Sequence, residues 1–210
     1  ANDGISLIQV AEGGINEISN ILVRLKELGV QASSDTVSDR EREFINTEVR
    51  QLVDESERIA RATRFGETRL LDGSGNPLEF QIDINNDDFV DRIAFDTSQQ
   101  KVTTDVLQIE DFDFSTQDGA QSSLEVIEQA QTHVNRARAN LGAVQNRLTS
   151  TADNLNVSIE GLSAANSRIR DTDIAASSAE LVRNNVLYNA TIGTLAQANE
   201  NPQQALKLIN

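Results

Sequence analysis

Between Ile127 and Ile169 the apolar positions recur at alternating steps of three and four: Ile127, Ala130, Val134, Ala137, Leu141, Val144, Leu148, Thr151, Leu155, Ser158, Leu162, Ala165 and Ile169. That spacing is the seam of a coiled coil, sustained for about six heptads without a proline. At a rise of ~1.5 Å per residue it predicts a rod of about 64 Å. The expected fold is therefore mainly α, an elongated antiparallel helical bundle or coiled-coil rod, with function lodged in its surfaces.

The same 3-4 spacing opens the chain, with Ile8, Ala11, Ile15, Ile18, Leu22, Leu25 and Gly29 predicting a helix over residues 2–32. A polar run from Ser33 to Ser38 breaks it. Ser38 followed by Glu41 is a capping-box pattern, so a second helix is expected over 38–63, with Ile45, Val49, Leu52, Ser56 and Ile59 on its seam. The short connection makes the two helices antiparallel neighbours. From Phe65 to Asp118 the period changes. Leu78, Phe80, Ile82 and Ile84 alternate with polar residues after a Gly73-Ser74-Gly75-Asn76-Pro77 turn, which predicts a half-buried strand. Weaker strand signals cover 92–95 and 101–109, so residues 65–118 read as a small β-containing insert packed on the helices. The long helix is expected over 122–168, with Ser122 and Glu125 as a second capping box. Asp171-Thr172-Asp173 marks a break, and a last helix follows over 174–199, ended by Pro202. Its apolar residues, among them Leu181, Val182, Val186, Leu187, Ile192 and Leu195, lie on several sides of the helix. Such a helix needs several partners.

Composition narrows the function. The chain carries 33 acidic and 18 basic side chains among 210 residues, a formal charge of -15. That balance repels nucleic acid and anionic membrane surfaces. No apolar run approaches the ~20 residues of a membrane span. With one histidine, His133, and no cysteine, the chain cannot build a His/Cys zinc cluster or a thiol nucleophile by itself. Aromatic residues are only 4% of the sequence, which suits a thin core between long helices better than a globular one.

Two features imitate chemical sites. Asp83, Asn85 and Asp87 carry the Asp-x-Asn-x-Asp opening of a calcium loop, but Asp88 stands where its glycine belongs and Ala94 occupies its twelfth position. A solvated acidic turn is the reading that fits. His133 has no second histidine, cysteine or nucleophile at helical spacing and reads as a surface or groove residue. Mixed charges along the first two helices read as surface pairs. No enzymatic function and no cofactor are expected.

Particular strings say more than periodicity. Asn2-Asp3-Gly4-Ile5-Ser6, Ala11-Glu12-Gly13, Asn16-Glu17-Ile18 and Arg24-Leu25-Lys26-Glu27-Leu28-Gly29-Val30-Gln31 resemble the amino-terminal core of bacterial flagellin. Leu141-Gly142-Ala143-Val144-Gln145-Asn146-Arg147-Leu148, Ser167-Arg168-Ile169-Arg170-Asp171-Thr172-Asp173 and Leu195-Ala196-Gln197-Ala198-Asn199 resemble its carboxyl-terminal core. The matches flank the whole chain in the family's order.

The resemblance implies a structural subunit of the flagellar filament, secreted by type III export and assembled with other flagellin subunits in the extracellular flagellum. It implies that residues 1–169 form the rod-shaped core. Residues 170–210 become one helix of an inner coiled coil, whose partner, the family's extreme amino-terminal helix, is missing here. It further implies a contact with a flagellar export chaperone through Leu181, Val186, Leu187, Ile192, Leu195 and Leu206. An epitope for the vertebrate innate flagellin receptor falls on Arg24, Leu28 and Glu48, although Val23 stands where the family commonly has glutamine. The alternative is a hook-filament junction protein of the same axial plan; the Leu141–Leu148 string and the Leu-Ala-Gln-Ala-Asn ending favour flagellin.

Overall fold

The computed structural model describes residues 2–88, 90–170 and 173–209, with side chains through Glu200. The chain divides into two compact units, Ala1–Asn156 and Val157–Asn210.

In the first unit, α1 (Asn2–Ala32) buries a broad stripe that includes Ile8, Ile15, Ile18, Leu22 and Leu25. It ends where the Ser33 amide and hydroxyl both donate to the carbonyl of Gly29. Helix α2 (Asp39–Ala62) starts at the expected box. The amide and hydroxyl of Ser38 donate to the Glu41 carboxylate at 2.9 and 2.8 Å and hold it below the usual carboxylate range. Ile45, Val49 and Ser56 are buried on its seam, with Leu52 and Ile59 packed at the margin. Arg24 bonds Glu48 and Arg42 bonds the Ala32 carbonyl, which fixes α1 and α2 as antiparallel.

The long helix α4 (Gln117–Arg170) begins five residues earlier than the pattern suggested. Its cap is Thr116, whose hydroxyl accepts the Gly119 amide at 3.2 Å. Ser122 lies inside the first turns and donates to the carbonyl of Gly119, so the proposed Ser122–Glu125 box is not the cap. Within the first unit α4 runs antiparallel to α1: Leu148 packs at Gly4, Arg138 lies 3.9 Å from Glu12, and Leu124 packs at Gly29. Ile127, Ala130, Val134, Ala137, Leu141 and Leu148 are all buried there.

The insert is laid along these helices. A hairpin, β1 (Arg64–Phe65) with β2 (Thr68–Arg69), turns at Gly66, whose φ of +62° favours glycine. Leu70 and Leu71 are then buried, the latter against α1 at Gly14. Strand β3 (Leu78–Gln81) pairs antiparallel with β4 (Arg92–Phe95) in the register Leu78↔Phe95 to Gln81↔Arg92. The strand expected to reach Ile84 stops at Gln81, and Ile84 is exposed. Residues 101–109, expected as a strand, hold a helical turn, α3 (Thr104–Leu107), after a 3-10 turn over Thr97–Gln100. The turn forms because Glu57 of α2 accepts both the amide and the hydroxyl of Thr104 at 2.9 Å. Burial alone would raise the Glu57 carboxyl, yet the Thr104 bonds and Arg61 hold it below its ordinary range. Asp105, bonded by Lys101 at 2.8 Å and by Thr103, is pushed down to about 2.

Three further bonds tie the insert down. Asn46 donates to Asp113 at 2.9 Å and accepts the Phe114 amide at 3.0 Å, next to the tilted pair Phe112 and Phe114. The ring of His133 meets the Lys101 carbonyl at 3.0 Å, so the lone histidine joins α4 to the insert.

In the second unit α4 continues to Arg170, and α5 (Ile174–Ile209) follows. Asp173 caps α5 by accepting the Ala176 amide at 3.0 Å. Asp171 and Thr172, the rest of the expected break, lie outside the described residues. Helix α5 runs through Pro202, correcting the expected end there: a proline forfeits one backbone donor, and the ladder continues on both sides.

Candidate functional site

The seam of α4 changes character along its length. Leu148 is fully buried, whereas two heptads later Leu162 is 71% exposed, and Val157, Ile159 and Ile169 are exposed with it. Helix α5 repeats the pattern. Leu181, Val182, Val186, Leu187, Tyr188, Ile192 and Leu195 are all exposed, and at 100° per residue they point to more than one side of the helix. An exposed apolar patch of this extent is the mark of an interaction surface.

The expected chaperone residues Leu181, Val186, Leu187, Ile192 and Leu195 lie within it, and Leu206 falls outside the described side chains. Sequence reasoning placed Leu162 on the seam but not its exposure, because seam spacing is the same whether or not the partner is present, and it passed over Val157 and Ile159, which lie off the seam.

The three residues of the expected receptor epitope do not share a surface. Arg24 and Glu48 are exposed and paired at 2.8 Å, with Glu27 bonding the same guanidinium at 3.1 Å. These two carboxylates raise the arginine pKa further, the Glu48 bond most. Leu28 is only 2% exposed and belongs to the core between the helices.

The acidic turn after β3 is organised by its own chain. Asp83 accepts the Ile84 amide, Asp91 accepts that of Asp87 at 2.8 Å, and Arg92 bonds Asp88, Glu79, Gln81 and Asn86. Among the described residues no group of three or more histidine or carboxylate side chains is placed to hold a metal ion. A cleft of about 460 Å³ between α2 and the insert contains Arg61, Arg69 and Lys101, each already paired, with Glu57, Asp72 and Asp105.

These features define a helical structural subunit, with one unit closed around its own core and the other exposing its apolar residues. Family models for the bacterial flagellin N-terminal and C-terminal helical regions match residues 1–76 and 124–209. A flagellin of Halalkalibacterium halodurans is 39% identical over 209 residues, spanning 100% of this chain and 76% of that protein. A flagellin of Bacillus subtilis is 37% identical across 100% of this chain and 78% of its own length. The flagellar filament core protein flaB2 of Brachyspira hyodysenteriae is 36% identical across 99% and 76%. Among solved structures, Bacillus cereus flagellin superposes with a TM-score of 0.64 at 26% identity, over 78% of this chain and 92% of that one.

The chain belongs to the bacterial flagellin family, and it is a structural subunit of the flagellar filament. A putative flagellar hook-associated protein of Vibrio parahaemolyticus matches with a TM-score of 0.57 over 78% of this chain and 87% of its own, but at 14% identity that likeness is one of fold alone. The hook-filament junction reading is accordingly the more distant one.

Proposed function

We propose that the exposed apolar positions over residues 157–195 are the surface through which this subunit self-assembles, outside the cell after type III export. The observation that carries the reading is the change along one seam, from buried Leu148 to exposed Leu162. Filament growth buries the open half against neighbouring copies, and its role is mechanical, with no reaction and no cofactor.

Before export, the same face of α5 is held by a flagellar export chaperone through Leu181, Val186, Leu187, Ile192, Leu195 and Leu206, which keeps the apolar surface from premature association. The exposed Arg24–Glu48 pair is the part of the rod surface offered to the vertebrate innate flagellin receptor, with Leu28 acting from beneath as support.

The test is incorporation. Leu162→Asp and Leu187→Asp subunits, added to filament seeds and followed by sedimentation and electron microscopy, are expected to be left in solution. Incorporation equal to that of the unsubstituted chain would refute the assignment. Deleting residues 174–210 should abolish chaperone binding while leaving the helical signal of the first unit intact.

A further inference from the structure

One seam of α5 keeps strict steps of four and three from Ile174 to Asn199, and its alternate positions are of two kinds. Ile174, Leu181, Tyr188 and Leu195, one heptad apart, are large and apolar. Between them stand Ser178, Asn185, Ile192 and Asn199, so the second set is polar except at Ile192. All of them are exposed, and the Asn185 and Asn199 amides bond no other group among the described residues.

An asparagine on a coiled-coil seam selects its register, because an amide buried against an aliphatic side chain loses its bonds with water and gains none. In a parallel pair of helices like positions meet like positions, so the favoured offsets set asparagine against asparagine. An offset of one heptad fails, since it puts both Asn185 and Asn199 against Ile192. Zero offset satisfies the amides but spends the whole seam on one partner and closes as a pair. A filament needs a contact that stays open at both ends. An offset of two heptads provides it: the half-seam from Tyr188 to Asn199 covers the half-seam from Ile174 to Asn185 of the next copy, and every copy keeps one half for another neighbour.

We infer that the α5 helices of successive copies lie parallel with a two-heptad stagger of about 21 Å, in which Asn199 of one copy bonds Asn185 of the next. The inference rests on the reading of residues 157–195 as the assembly surface. The same stagger sets Leu195 against Leu181 and Tyr188 against Ile174, which keeps the apolar layers together, while Ile192 meets the small Ser178. Val186 and Leu187 lie on the other side of α5 and remain for further contacts.

The chain has no cysteine, so introduced thiols report contacts without background. Asn185→Cys and Asn199→Cys subunits are mixed, taken into filament seeds and oxidised, and the joined peptides are identified by mass spectrometry. A disulfide needs Cα atoms within ~7 Å, a reach that like positions about 21 Å apart cannot bridge. Products joining 185 to 199 should therefore exceed like-with-like products by about tenfold or more. The double variant should form a covalent ladder of many subunits. Leu181→Cys mixed with Leu195→Cys should join in the same way, an independent check that leaves both asparagines in place. Like-with-like products in equal yield, or subunits taken up together but left unjoined in both pairs, would overturn the stagger while leaving the assembly surface standing. Uptake of Leu187→Asp subunits equal to that of the unsubstituted chain, measured on the same seeds, would remove the assembly reading and the stagger together.

Discussion

Arg42 of α2 donates through Nε to the carbonyl oxygen of Ala32, the last residue of α1, at 2.8 Å. The same guanidinium reaches the Ser34 carbonyl at 2.9 Å and Asp39 at 2.8 Å, so a nearly buried arginine closes the end of one helix from inside the next. Lysine cannot reproduce this fork, since a single ammonium lacks the planar spread of donors.

Arg42→Ala leaves two carbonyls without their donor and is expected to destabilise the first unit by about 2–4 kcal/mol. Arg42→Lys should recover less than half of that. Urea unfolding followed by circular dichroism reads both values, and full recovery by lysine would show that charge alone matters there.

Adjacent glycines in α1 should respond in opposite directions. A Cβ on Gly14 would lie 2.5 Å from the Thr63 hydroxyl, itself bonded to Ile59, and 2.8 Å from the buried Leu71. Gly14→Ala is therefore expected to cost about 1–3 kcal/mol by overpacking. At Gly13 nothing lies within 4 Å, so Gly13→Ala should gain about 0.5–1 kcal/mol through helix propensity. Melting temperatures of the two variants decide it.

Acid should loosen the insert. Asp105 is held down to about 2 in the folded chain by Lys101 and Thr103, against ~3.9 when unfolded. A depressed carboxyl contributes stability that is fully present above the unfolded value and is lost as the pH falls through the folded one. Stability should thus decline between about pH 4 and pH 2, and Asp105→Asn should flatten that part of the profile. Equilibrium unfolding at several pH values measures the slope.

Along the α4 seam, position decides the outcome. Leu148→Asp removes a fully buried side chain that packs at Gly4, and loses about 2–5 kcal/mol before any penalty for the new charge. Leu162→Asp, at an exposed site, should leave the melting curve within about 0.5 kcal/mol of the original. The pair, compared by calorimetry and by incorporation into seeds, separates folding from assembly.

Periodicity exposed α1, α2 and the long seam because each long helix buries a repeating stripe, and the Ser38–Glu41 cap was readable because both partners lie within one turn. What escaped depends on distant residues. The turn at Thr104 forms on Glu57, 47 positions away, so local alternation over 101–109 looked like a strand. Thr116 caps α4 through Gly119, where no glutamate signals a box. The apolar sides of α5 were legible from spacing. The exposure of Leu162 was not, since a heptad records the shape of an interface and not how far along the helix the subunit's own residues supply it.

The open seam gives the two units different kinds of stability. The first unit closes around its own core, so its melting is a property of the single molecule. On the assembly reading proposed above, residues 157–195 gain apolar contacts from neighbouring copies, and by mass action their stability rises with the logarithm of subunit concentration. Order in that region is therefore a collective quantity: it belongs to the population of subunits, strongest within a long polymer and weakest at its growing end.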